Sequence, residues 1–385
     1  MQKIIVALTS YPKRIQIVHN VIQSLWKQKR CADEIVLYLS STEFLDKEEN
    51  LPKEILEMTG KNGFRIEWVK GNLKSHKKYY DALQQYSRDI VITVDDDIEY
   101  ADTLISDLLE SYERFPHAIS ARRARVILKR EDGLEAYHEW DSYLGQYAHS
   151  PRMDLCAIGV GGILYPPHSA ASTWFEQEKI VQLAENQDDL WLKYQELIRG
   201  IPVVYQEPSQ KDQSIESAKE SALTVKNVQQ GENDSCIERI LEDMKQNHLT
   251  IFYDWFAGLM TKEEFVLEKK NYYFAKIRKR FEDTKEKPIY LYGAGKIAKR
   301  ILRILDDGEL LSGIEAILVS DKQNNPNELF GIKVRQVDEI EKAKPFYVIY
   351  GVGTAYQLEV EKLLQDYQCS KLELDIAGLV QYYIE

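Results

Sequence analysis

Residues Ile90–Tyr100, IVITVDDDIEY, constrain this chain more than any other stretch. Ile90 to Val94 form the short apolar, β-branched run expected of a strand buried on both faces. The run stops at Asp95, Asp96 and Asp97. Carboxylates set against a core strand cost free energy unless they are paired or hold a cation. In continued extended backbone, Asp95 and Asp97 point to one side and Asp96 to the other. Two oxygen donors then sit at the carboxyl end of a strand, where open α/β sheets bind their ligands. Mg2+ or Mn2+ takes such oxygens and shares its other positions with substrate phosphates. The competing reading is an acidic strand-to-helix turn with Asp102 as N-cap.

The surrounding half of the chain alternates in the same way. Ile4–Leu8, Glu34–Leu39 and Phe64–Val69 read as strands. Residues 14–28, 52–58, 77–86 and 103–115 carry helical spacing between and after them. Alternation of this kind predicts a mostly parallel sheet with helices on both faces. Thr9–Arg14 follows the first strand with hydroxyls, a ring and a cation, among them Thr9, Tyr11 and Arg14. Lys74 to Lys78 opens a helix, where backbone amides and basic side chains suit phosphate. Arg122, Arg123 and Arg125 form a further basic cluster, readable as a strand edge. Gly159 to Gly162 lets backbone approach a ligand or makes a tight turn. Asp188 and Asp189 open a helix that runs through Arg199. The macrodipole favours acids there, and a general base is the sharper reading, with Trp191 as an apolar wall for a sugar ring.

Composition narrows the classes. Lys+Arg total 50 against Asp+Glu 62, a net charge of −12, which argues against a nucleic-acid binder. Cys31, Cys156, Cys236 and Cys369 lack metal-ligand spacing and suit a reducing, cytoplasmic setting. The apolar run at the N-terminus is too short for a signal peptide or a membrane span.

Five motifs occur in order: TSYPKR, LKSHKKY, TVDDDIEY, GVGGILYPP and QDDLWL. Together they resemble a bacterial glycosyltransferase of the GT-A fold, family 2-like, of the capsule and surface-polysaccharide kind. The resemblance covers residues 1–245. It implies transfer of a sugar from a nucleotide-sugar donor, a UDP-sugar first, to a hydroxyl of a glycan or lipid-linked acceptor. It implies that Asp95 and Asp97 hold Mn2+ or Mg2+, with Asp96 nearer the donor ribose or sugar. The acidic pair would carry the base of an inverting enzyme, with Asp189 preferred and Asp188 open. Thr9, Tyr11, Arg14, Lys74, Lys77, Gly161 and Gly162 are the expected donor contacts, and Trp191 the acceptor contact. His168 and His248 are the candidates for a third metal ligand. Ser40 to Glu43 stand where relatives carry an acid after the second strand, which leaves the nucleotide base open. Peripheral association at the inner face of the plasma membrane and oligomerisation also stay open.

Residues 207–235 are polar and read as a mobile cover over the donor or an exposed connection. A helical linker is expected over 246–285 and a small Rossmann-like domain over 286–385. There Ile289–Tyr292 leads into Gly293-Ala294-Gly295, and Asp321 lies at the distance of a ribose-binding acid. A nucleotide at Gly293, Gly295 and Asp321 is a second candidate site. The alternatives to a transferase are a nucleotide-sugar oxidoreductase or epimerase using that domain, and a non-catalytic nucleotide-sugar-binding partner.

Overall fold

The computed structural model describes residues 2–142, 144–215, 231–285 and 287–384. It divides into two compact units, Met1–Lys262 and Glu263–Glu385.

In the first unit, β1 (Ile4–Thr9), β2 (Glu34–Ser40), β3 (Phe64–Val69) and β4 (Ile90–Thr93) are parallel, in the order β4-β1-β2-β3. Parallel neighbours require crossovers. Helices α1 (Val18–Trp26), α2 (Lys53–Met58) and α3 (Lys77–Gln85) lie on those connections. Val6, Leu8, Leu37 and Ile92 share one core with Val18, Val21 and Ile22 of α1 and with Leu104 and Leu108 of α4 (Leu104–Arg114). Ile5, Ala7 and Val91 alternate with them and are also buried, so both sheet faces are covered as predicted.

Short strands follow in chain order: β5 (Ile119–Ala121), β6 (Ala124–Val126), β7 (Pro151–Arg152), β8 (Leu155–Ala157), β9 (Ile163–Tyr165) and β10 (Val203–Tyr205). The complete sheet is mixed and runs β7-β10-β5-β9-β4-β1-β2-β3. Strand β9 lies antiparallel between β4 and β5. Strands β6 and β8 leave the sheet as an antiparallel ribbon. Helices α5 (Gln177–Ala184), α6 (Asp188–Arg199), α7 (Glu232–Asn247) and α8 (Leu249–Ala257) complete the unit. The stretch 207–235 is described only outside 216–230, so the expected mobile segment lies largely outside the described residues. Its first part is anchored: Gln213–Ser214 pairs with Ile98–Glu99, and the Ile215 amide donates to the Asp97 carbonyl at 3.0 Å.

In the second unit, β11 (Ile289–Tyr292), β12 (Ala316–Val319), β13 (Ile332–Gln336), β14 (Phe346–Tyr350) and β15 (Cys369–Lys371) make a parallel sheet in the order β13-β12-β11-β14-β15. This is the doubly wound order, and its reversal point lies between β11 and β14. Gly293 and Gly351 end those two strands. Gly293 has φ +107°, and a Cβ there would meet the Gly351 carbonyl at 3.0 Å. Asp321 is exposed, and its carboxylate accepts from the Gln323 amide and the Asn324 side chain, closing its own turn.

The separate linker expected over 246–285 is not present as one piece. Helix α8 belongs to the first unit, while α9 (Lys262–Glu282) places Tyr273 and Ile277 in the core of the second. Glycines receive its rings. A Cβ at Gly308 would meet Phe274, one at Gly313 would meet Phe281, and one at Gly378 would meet Tyr273.

Candidate active site

A cavity of about 680 Å³ opens at the carboxyl ends of β1 and β4. The loop after β1, the acids after β4, the start of α3 and the first turn of α6 all contribute to its wall. Motifs more than ninety residues apart in the chain therefore meet in one place.

Lys78 joins the two acidic motifs. Its Nζ lies 2.7 Å from Asp95 Oδ1 and 2.9 Å from Asp188 Oδ2, and it is buried. Burial works against its charge, but Asp188, Asp95 and Asp189 hold its pKa well above the ordinary lysine value. The other acids gather around Arg14, whose Nη1 is 2.8 Å from Asp96 Oδ1 and 3.0 Å from Asp97 Oδ2. Ser10 Oγ donates to Asp96 Oδ2 at 2.6 Å. Asp96 is thus the buried, hydrogen-bonded member of the triplet, whereas Asp95 and Asp97 keep more side-chain exposure. Burial, and then the charge of Asp95, push the Asp97 carboxyl up to about 6. That excess of negative charge fits a divalent cation at Asp95 and Asp97. Among the described residues, no group of three or more His, Cys, Asp or Glu is placed to hold a metal ion, so Asp95 and Asp97 would supply only two protein ligands.

Asp188 and Asp189 are adjacent but differ in environment. Against the effect of burial, the Lys78 ammonium holds Asp188 below the usual carboxylate range. Burial, followed by the Asp188 charge, raises Asp189 well above that range. Asp189 Oδ1 accepts the Gly159 amide at 3.1 Å, and the residue faces the cavity. His76 braces this arrangement. Its Nε2 bonds the Ala184 carbonyl at 2.8 Å and its Nδ1 the Tyr79 hydroxyl at 2.9 Å, a pattern met by neutral imidazole with the proton on Nε2.

Several expected site residues fall elsewhere. Trp191 is fully buried and donates its indole N–H to the Trp174 carbonyl at 3.0 Å, so it forms core and not a sugar-facing wall. Gly161 and Gly162 serve packing. A Cβ at Gly161 would meet the Arg123 amide nitrogen at 2.7 Å, and one at Gly162, with φ +82°, would meet Leu104 Cδ1 at 2.6 Å. The glycine that borders the charges is Gly159, where a Cβ would lie 2.8 Å from Lys78 Nζ and 3.3 Å from both Asp95 Oδ1 and Asp189 Oδ1. His168 lies in a separate crevice beside Ser87, and His248 packs on the Tyr194 ring, so neither is placed to ligate with Asp95 and Asp97. Thr9, Tyr11, Arg14, Lys74 and Lys77 do line the cavity. Lys77 is held by Glu43 at 2.6 Å and Asn72 at 3.0 Å, and Lys74 by Glu185 at 2.7 Å.

The sequence reading missed two contributors. Ser10 ties β1 to Asp96. Tyr100, inside the acidic motif, accepts the Asp95 amide at 2.9 Å and donates to the Val160 carbonyl at 3.3 Å, joining the acid loop to the glycine turn. Gly159 lay within the expected glycine turn, but the donor contacts were assigned to Gly161 and Gly162 instead. The Tyr100 signal was an aromatic at a fixed offset from Asp95, which a short strand pattern disguises.

Fold and site together define a mixed α/β protein with an acidic cavity at the carboxyl ends of its parallel strands. No protein-family model and no curated protein matches the sequence. Solved structures with similar regions include a 4-diphosphocytidyl-2C-methyl-D-erythritol synthase, at 12% identity and TM-score 0.33, over 54% of this chain and 91% of the other. Another is the mannosyltransferase PcManGT of Pyrobaculum calidifontis with GDP-Man and Mn2+, at 10% identity and TM-score 0.35, over 53% of this chain and 55% of that one. A third is S. aureus TarS 1-349 with UDP, at 14% identity and TM-score 0.33, over 54% of this chain and 59% of that one. The chain thus spans less than two thirds of the length of the second and third.

Proposed function

We propose that the first unit is a metal-dependent glycosyltransferase of the GT-A type, taking a nucleotide-sugar donor and an acceptor hydroxyl. One observation carries this reading: the acids after β4 and the acids opening α6 share a single cavity, with Lys78 between them. Those are the two sets of groups the reaction needs. A nucleoside diphosphate leaves with developing negative charge, and the acceptor hydroxyl is a poor nucleophile until its proton is taken.

In this reading Asp95 and Asp97 would hold Mn2+ or Mg2+ beside the donor diphosphate. When bound, the cation neutralises charge on the leaving diphosphate. Thr9, Tyr11 and Arg14 line the donor side, and Arg14 fixes Asp96 and Asp97. Asp189 accepts the acceptor proton as the hydroxyl oxygen bonds to the anomeric carbon and the bond to the diphosphate oxygen breaks. Its raised proton affinity suits that task, while Asp188 stays ionised against Lys78. Attack on the face opposite the leaving group inverts the anomeric centre. On the motif resemblance, the product belongs to a surface or capsular polysaccharide. Among the described residues no helix is long and apolar enough to cross a membrane.

Calorimetry with UDP and Mn2+, followed by a nucleotide-sugar panel, tests this. Asp95→Ala and Asp97→Ala are each expected to abolish the Mn2+-dependent part of UDP binding while the protein stays folded. Unchanged affinity in both variants would remove the metal assignment, and no nucleotide binding by the wild type would remove the whole reading.

A further inference from the structure

Strand β6 alternates strictly. Ala124 and Val126 are buried, while Arg123 and Arg125 turn to the other face and both line the cavity that holds Asp189. The neighbouring Arg122 has a different role: it is fully buried and paired with Asp107 and Asp212, each at 3.2 Å. Arg125 is fixed, with Nη1 2.5 Å from the Trp140 carbonyl and its guanidinium 5.0 Å from the centre of the Tyr137 ring. Arg123 is exposed, and its guanidinium has no hydrogen-bond or ion-pair partner among the described residues.

Backbone contacts bring this pair close to the acid. The Arg123 carbonyl accepts the Ile158 amide at 2.9 Å, and the next amide, Gly159, is the one that donates to Asp189. Tyr137, over which Arg125 sits, lines the same cavity wall as Arg123 and Asp189. A planar guanidinium matches a carboxylate or phosphate through two parallel hydrogen bonds, a geometry that a neutral sugar hydroxyl does not use.

We propose that Arg123, with Arg125 beside it, forms an anion-binding subsite next to Asp189, and that the acceptor carries a phosphate or carboxylate near the hydroxyl it offers. Only the word acceptor rests on the glycosyltransferase reading; the subsite rests on the geometry of β6 and the cavity.

The test is a calorimetric titration of the full chain, saturated with UDP and Mn2+, using glycerol 3-phosphate and glucuronate against glycerol and glucose. At least one anion should bind ten-fold or more tightly than its neutral counterpart, and the stronger of the two identifies the acceptor charge as phosphate or carboxylate. Arg123→Ala should erase that preference, Arg123→Lys should restore part of it, and UDP affinity should be unchanged in both. Equal binding of anions and neutral compounds, or an anion preference that survives Arg123→Ala, would overturn the proposal. If the wild type binds no UDP, the glycosyltransferase reading fails. The same titration on the free protein, wild type against Arg123→Ala, then still decides the subsite.

Discussion

Replacing Gly159 by alanine adds one methyl group at the point where the charges converge. The new Cβ would stand 2.8 Å from Lys78 Nζ and 3.3 Å from Asp95 Oδ1 and Asp189 Oδ1. Carbon and nitrogen rest at about 3.5 Å, so Lys78 must retreat by roughly 0.7 Å. Its contacts to Asp95 and Asp188, now 2.7 and 2.9 Å, stretch accordingly or rearrange. The contacted atoms are side-chain ends and the Gly159 φ is not positive, so folding should change by no more than about 1 kcal/mol. A misplacement of about 1 Å at reacting groups can cost on the order of 100-fold in rate. The expected outcome is a melting temperature close to wild type and turnover reduced by roughly 10- to 100-fold with any nucleotide sugar the wild type uses. Gly162→Ala is the contrasting control. Its φ of +82° and the approach of Leu104 should lower stability before anything else. Wild-type turnover in a stably folded Gly159→Ala protein would refute the claim that Lys78, Asp95 and Asp189 must hold these positions.

Further expectations concern the base, the buried acid behind it and the unit boundary. Asp189→Asn should keep UDP and Mn2+ binding and lose roughly 100- to 10,000-fold in turnover; if only Asp188→Asn is inactive, the proton goes there instead. Glu196 is buried 3.6 Å from Lys193, and burial pushes its carboxyl up to about 7. Its folded pKa lies above the unfolded value, so its stabilising contribution is complete below about pH 4 and disappears as pH rises through 7, a swing of about 3 kcal/mol. Thermal melts from pH 5 to 9 should show the decline, and Glu196→Gln should flatten it; an equal slope in both proteins would count against the raised pKa. Residues 263–385 should fold as a fragment with a cooperative melt, whereas 288–385, lacking Tyr273, Phe274 and Ile277, should not. A cooperative melt from the shorter fragment would show that α9 is dispensable.

The alternation of β1 to β4 with their helices was readable because β1, β2 and β4 are short apolar runs, β3 alternates apolar and charged residues, and periodic helices lie between them. The acids after β4 were readable for the opposite reason, since carboxylates have no cause to end a core strand. Strands β5 and β10, at three residues each, are too short to show a period and come from sheet pairing alone. Trp191 was misread because a helix with buried residues nearly all round gives no apolar face to distinguish core from cavity. The glycine turn was placed correctly, but only backbone angles and neighbours show which glycine meets the charges. The boundary at 262 was hidden because α9 has a scattered aromatic pattern, and the sockets that receive it are glycines, which carry no pattern at all.

Lys78 also makes the two acidic motifs genetically dependent on each other. Removing Asp95 hands its cation wholly to Asp188, and removing Asp188 hands it to Asp95. Losses at the two positions therefore do not add, and substitutions at 78, 95 and 188 are felt as a set. A redesign that transplants one motif without the shared lysine inherits a buried charge with no counterpart.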